Sequence, residues 1–285
     1  MKRLLFCFLS FFLLISPVYA QSSEQDQAIT ETTGSTVLKT DMIWEKERLD
    51  EEIITLKATY QSQLENYLYQ DKLYRIAYDQ YKQLQTLVSI EDLTQKAKTL
   101  GLSRDEVLIS YLDLLRLNLI ATEGIELSLK SKYLSQLEST IVYLKEHQEN
   151  LKNLNEREPV SLSLSTFAND QKNLNKQAKE VLVLLAIGNL QMIYDKSAVL
   201  KKDIDVYLGD QGTLELPTIS RASDETNRSL SSAKLKLDAF WAETLKRNES
   251  NWYLSKFYDD LPRTLNPIYV NLSQSISYLN ELLSI

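Results

Sequence analysis

Residues that interrupt helices are scarce in this chain, and so are residues that carry out chemistry. Its 285 positions hold six glycines, five prolines, one cysteine and one histidine. Ordinary usage is roughly 7% Gly and 5% Pro, so the shortage leaves room for long uninterrupted elements. A lone cysteine, Cys7, excludes an internal disulfide and thiolate-rich metal sites. A lone histidine, His147, excludes His-x-x-x-His and paired Glu-x-x-His metal patterns. Neither a Gly-x-Ser-x-Gly turn nor a glycine-rich phosphate loop occurs. A basic stripe is missing too. The formal charge is −7, with cations scattered among acids as in "KAKTLGLSRDE". Nucleic-acid backbones require clustered cations, so no nucleic-acid partner is expected.

Long apolar runs are confined to the start. Lys2 and Arg3 precede "LLFCFLSFFLLIS", and Val18-Tyr19-Ala20 follows with small residues at the −3 and −1 positions. This pattern predicts a signal peptide over residues 1–20, cut between Ala20 and Gln21. The run is shorter than the ~18–20 residues of a spanning helix. Cys7 lies inside it behind Phe6, where a lipoprotein signal would need a small residue. The mature chain is therefore expected to be secreted, periplasmic or at the cell surface, with no stable membrane span. Residues 21–40 lack periodicity and read as a flexible leader, with residues 41–285 as a single helical domain.

Apolar residues from Asp41 to about Val88 step by three and four through Leu49, Ile53, Leu56, Tyr60, Leu64, Tyr67, Tyr74, Ala77, Tyr81 and Leu84. That is a heptad seam, the mark of a helix packed lengthwise on others. Ser89 is expected to cap a short helix ended by Gly101. Ser103 and Glu106 would then cap a second long helix running through Gly124 to Asn153. Pro159 should keep "NEREPVSLSLS" out of a helix. A third helix is predicted over 166–208, with a seam of Leu174, Ala178, Val181, Leu185, Gly188, Met192, Val199 and Val206. "GDQGTLELP" is the clearest loop. A fourth helix starts near Ser220, carries Phe240, Trp241, Trp252, Tyr253, Phe257 and Tyr258, and should stop before Pro262. Asn266-Pro267 would open a short last helix. The fold class predicted is all-α: an elongated antiparallel bundle of about four long helices with coiled-coil-like seams, plus a short C-terminal helix.

Chemistry finds little support. His147, between Glu146 and Glu149, reads as a solvated helix-face residue whose replacement by Gln would cost no more than about 0.5 kcal/mol. Asp203, Asp205 and Asp210 could offer oxygens to calcium, but the glycine spacing does not fit an EF-hand, and no metal site or cofactor is expected. Glu51-Glu52 and Asp259-Asp260 read as helix surface and helix end. Residues 181–193, "VLVLLAIGNLQMI", are apolar nearly all round, which fits a buried central helix or a segment released into lipid. At thirteen residues it is short for spanning. Asn227, Asn248 and Asn271 stand in Asn-x-Ser sequons, relevant only in a host that glycosylates exported proteins.

The most distinctive feature is a tyrosine every seventh residue: Tyr60, Tyr67, Tyr74 and Tyr81. Buried hydroxyls need partners, so tyrosine suits a seam whose edge reaches water. Gln63 and Gln70, at the alternate positions, could meet the hydroxyls or water. Packing of the whole ladder is the expectation, with exposure as a partner surface the alternative, since tyrosine favours interface cores. The expected function is a non-enzymatic structural or interaction protein (a helical spacer, adaptor or surface component) with a protein partner or self-association. A small-ligand-binding bundle and a membrane-active bundle using 181–193 are the alternatives.

Overall fold

A computed structural model describes residues 33–212, 216–246 and 251–284, and residues 45–285 form one compact unit. The expected signal peptide and residues 21–32 of the expected leader lie outside the described residues. Among those described are six helices and no strand: α1 (Thr33–Leu84), α2 (Leu87–Ala121), α3 (Leu127–Asn153), α4 (Arg157–Asp210), α5 (Pro217–Lys246) and α6 (Asn251–Leu283). The all-α bundle is as expected, but most breaks fall elsewhere. Residues 33–40, read as leader, are already helical.

α1 ends at Gln85, which takes the left-handed φ of 50°. Thr86 then caps α2 in a reciprocal box: the Ser89 amide donates to Thr86 Oγ1 at 3.3 Å and the Thr86 amide donates to Ser89 Oγ at 3.0 Å. Ser89 is thus the third residue of the helix rather than its cap, and Val88 belongs to α2, exposed. The predicted end at Gly101 and restart at Ser103 do not occur. α2 continues through both, because at Gly101 it passes so close to α3 and α4 that a Cβ would sit 2.6 Å from Leu164 and 2.7 Å from Leu151.

The predicted passage of one helix through Gly124 is also overturned. α2 stops at Thr122, whose amide and hydroxyl both donate to the Asn118 carbonyl, and the turn runs directly over α4. A Cβ on Gly124 would lie 2.1 Å from the Gly188 carbonyl oxygen, and one on Gly188 would lie 2.5 Å from Ile125. Two glycines allow backbone to meet backbone there. Lysines finish neighbouring helix ends: Lys130 Nζ donates to the Ile120 carbonyl at 3.2 Å, and Lys98 Nζ donates to the Lys152 carbonyl at 2.7 Å. Cations suit these carbonyl-rich C-termini.

Prolines do not stop the helices as expected. Pro159 lies in the first turn of α4, where no amide is needed. Pro262 and Pro267 lie inside α6, both on its exposed side. The expected stop at Pro262 and restart at Asn266 are therefore absent.

α4 is the shared spine. α2 and α3 pack on each other and on α4, while α5 and α6 pack on each other and on α4. Its middle, Val181–Leu185 with Ile187, is buried. Beyond this point the helix changes partners and its buried face turns. Ser197, Lys201, Ile204 and Leu208 point inward, and the predicted seam residues Val199 and Val206 are exposed. Ile204 and Leu208 join Ile219, Ala222, Leu279 and Leu282 in one apolar cluster. α2 is buried on two faces. Tyr111 meets the Tyr60 ring of α1 at 5.8 Å, and Ser110 donates to Gln63 of α1.

Candidate functional site

Three buried or half-buried polar side chains from three helices converge where α2, α3 and α4 meet. Asp105 of α2 has no exposed surface. Its Oδ1 accepts from Arg104 Nε and Nη2 at 3.1 and 2.9 Å, and its Oδ2 lies 2.6 Å from His147 Nδ1 of α3. The other ring nitrogen, Nε2, lies 3.0 Å from the hydroxyl of Ser163 on α4 and 3.4 Å from the Ser163 carbonyl. The His147 side chain keeps 10% of its surface exposed. The expected solvated residue is instead the hub of the site.

Packing fixes the imidazole. The ring lies 5.5 Å from Phe167 and 6.5 Å from Tyr143, centroid to centroid. Phe167 is covered on one face by the Arg104 guanidinium at 3.4 Å, a cation–π contact. Tyr143 donates to Asp170 Oδ2 at 2.6 Å. Burial and that carboxylate together push the Tyr143 hydroxyl up to about 12. A carboxylate accepts only, so Nδ1 carries a proton toward Asp105. Nε2 is then left to accept the Ser163 hydroxyl.

Two sequence signals could have marked this place. Asp105 falls on the α2 seam of Gly101, Leu112 and Leu119, all buried, where a carboxylate needs a partner. His147 stands one turn from Leu144 and Leu151, both fully buried. The third member gave no warning, because Ser163 sits in the segment read as a loop.

The ladder divides. Tyr60 and Tyr67 are buried, which raises both hydroxyl pKa values, whereas Tyr74 and Tyr81 are half-buried. Tyr60 and Tyr67 are thus unavailable as a surface in the folded chain, and the exposed tyrosines of α1 are Tyr69 and Tyr78. Neither glutamine pairs with a ladder hydroxyl in these bonds: Gln63 accepts from Ser110, and Gln70 donates to Asn66 Oδ1 at 3.2 Å.

A second polar group lies between α4 and α5. Buried Lys201 donates to Asp205 Oδ1 at 2.6 Å and to Ser223 Oγ at 3.0 Å. The pair edges an open groove of about 480 Å³, lined also by Tyr194, Lys202, Asn227 and Leu230. Asp205 is committed to a lysine, and Asp203 and Asp210 are exposed, so the three acids do not form a cage. Among the described residues no cluster of three or more His, Cys, Asp or Glu side chains could hold a metal ion, and no helix is long and apolar enough to cross a membrane. Glu51 and Glu52 are exposed on α1; Asp260 is exposed on α6. The side chains of Trp252, Tyr253, Phe257 and Asp259, and Asn248, lie outside the described residues. Asn271 donates to Ser232 Oγ at 2.9 Å.

No family model, curated protein or solved structure matches the chain.

Proposed function

We propose that the protein is a structural and interaction protein, exported by its N-terminal segment and working as a rigid helical spacer or adaptor. The observation that carries this reading is the outer face of α1. Ile54, Ala58, Gln61, Glu65, Leu68, Lys72 and Ile76 step by four and three and are all exposed, away from buried Tyr60 and Tyr67. Tyr69 flanks the same track and is exposed. Steps of this kind fit an amphipathic helix laid along α1, so the partner is a helix of another protein. The polar positions within the track would keep such an association reversible, since polar seam residues reduce coiled-coil stability.

A photo-crosslinking residue at Tyr69 tests this in the protein's native compartment. One discrete protein adduct is expected, lost when Leu68→Asp and Ile76→Asp are introduced together. An adduct pattern matching that of a crosslinker placed at exposed Val142 would sink the proposal. The groove beside Lys201 supports a second reading, a small-ligand-binding bundle, because it combines cations, an amide and apolar side chains in one concavity. Release of residues 181–193 into lipid has less support, since Val181–Leu185 form the buried middle of the spine.

A further inference from the structure

Asp105, His147 and Ser163 stand in the order and at the distances of an acid–base–nucleophile relay. Oδ2 to Nδ1 is 2.6 Å and Nε2 to Oγ is 3.0 Å. Such relays are recognised by geometry and roles, not by sequence position. We propose that Ser163 is an activated nucleophile that takes the acyl group of a small activated carboxylic ester, with His147 as its base and Asp105 positioning the ring. This site is separate from the outer face of α1, so the two proposals stand or fall independently.

Each part follows from a contact. Asp105 holds the proton on Nδ1 and turns the Nε2 lone pair to the hydroxyl. Tyr143 and Phe167 limit rotation of the ring, so that lone pair stays aimed at α4. When Ser163 Oγ attacks the acyl carbon, its proton passes to Nε2. The imidazolium so formed keeps a partner on each nitrogen: Asp105 on Nδ1, and the Ser163 carbonyl, 3.4 Å away, on Nε2. The ester C–O bond then breaks and the departing alcohol oxygen takes the proton from Nε2. A water molecule next gives its proton to Nε2 as its oxygen attacks the acyl carbon. Oγ leaves and recovers a proton, so ester and water become acid and alcohol. Ser163 is half-buried at the seam of α3 and α4, which limits the acyl group to a small one.

The test uses the purified full chain and a fluorophosphonate probe. In that reaction the Oγ–P bond forms, the P–F bond breaks, fluoride leaves, and the hydroxyl proton goes through Nε2 to solvent. Peptide mapping should find one adduct per chain, on Ser163. Ser161 and Ser165, exposed on the same helix, are internal controls that need no variant. Labelling of Ser163 no faster than these two would overturn the proposal, whatever the variants do. Ser163→Ala should abolish the adduct. His147→Gln, shown by circular dichroism to be folded, should slow labelling by about 100-fold or more, the usual contribution of a positioned base. With p-nitrophenyl acetate, release of nitrophenolate should depend on Ser163 and on His147. Release unchanged in Ser163→Ala would likewise overturn the assignment.

Discussion

A carboxylate without exposed surface must be compensated wherever it sits, and Asp105 takes its compensation from Arg104 and His147. Replacing His147 by Gln removes a charge-assisted bond and loosens the contact with Ser163. Urea unfolding should therefore show a loss of about 1.5–3 kcal/mol, the range for hydrogen bonds to charged groups, well above the value expected of a solvated position. Tyr143 gives a pH signature. Its pKa is raised by burial first and by its bond to Asp170 second. The protonated form is the one the fold favours. Its contribution is thus complete below the unfolded value of about 10 and is lost as pH rises toward about 12. Wild type should lose melting temperature relative to Tyr143→Phe as pH rises from about 10 toward about 12, and parallel curves would refute this. Within the ladder, Tyr67→Ala should cost on the order of 3–5 kcal/mol, because its ring is buried. Tyr74→Ala should cost less than Tyr67→Ala, since Tyr74 is only half-buried. Period alone showed which face of α1 turns inward. It could not show how deeply each tyrosine sits, because that depends on where the other helices end.

Helix periodicity was legible over most of the chain, as were the helix end at Asn153 and the break within "GDQGTLELP", but other breaks were not. Gly101 and Pro262 were read as helix stops and Pro267 as a helix start, yet each lies within a helix. A glycine costs a helix only about 1 kcal/mol against alanine, which close packing on Leu151 and Leu164 can offset. Conversely, the turn at Gln85-Thr86 carries neither glycine nor proline, so nothing but the Thr86–Ser89 box marks it. The Asp105–His147–Ser163 site was hidden for the same reason: its members meet only once α2, α3 and α4 have their true lengths. At the crossing of the α2–α3 turn over α4, space is the test. Alanine at Gly124 would meet the Gly188 carbonyl and the Met192 amide, both backbone, whereas alanine at Gly188 would meet the side chains of Ile125 and Thr122. Side chains can yield and a helix backbone cannot. Gly124→Ala should cost more than Gly188→Ala, each within or above the roughly 1–3 kcal/mol typical of overpacking. Thermal melts of the two variants check the order, and equal losses would contradict it.

Across residues 45–285, α4 is shared by two groups, α2 with α3 and α5 with α6, each packed on it. The buried middle of α4 belongs to that connection. This arrangement makes the position of a lesion decide how far its effect travels. Leu184 and Leu279 are comparably buried leucines, one in the middle of α4 and one in the apolar cluster of α4, α5 and α6. Truncation of either to alanine should remove on the order of 2–5 kcal/mol. The distribution of that loss should differ, because partial openings follow contiguous packed units. Leu279→Ala should speed amide hydrogen exchange in residues 204–222 and 268–282 and leave residues 105–119 and 137–147 near their wild-type rates. Leu184→Ala should speed exchange in both sets, since the α2–α3 pair and the α5–α6 pair both pack on α4. Uniform acceleration by Leu279→Ala would mean that the two groups open as one, and α4 would then be a cooperative core rather than a joint.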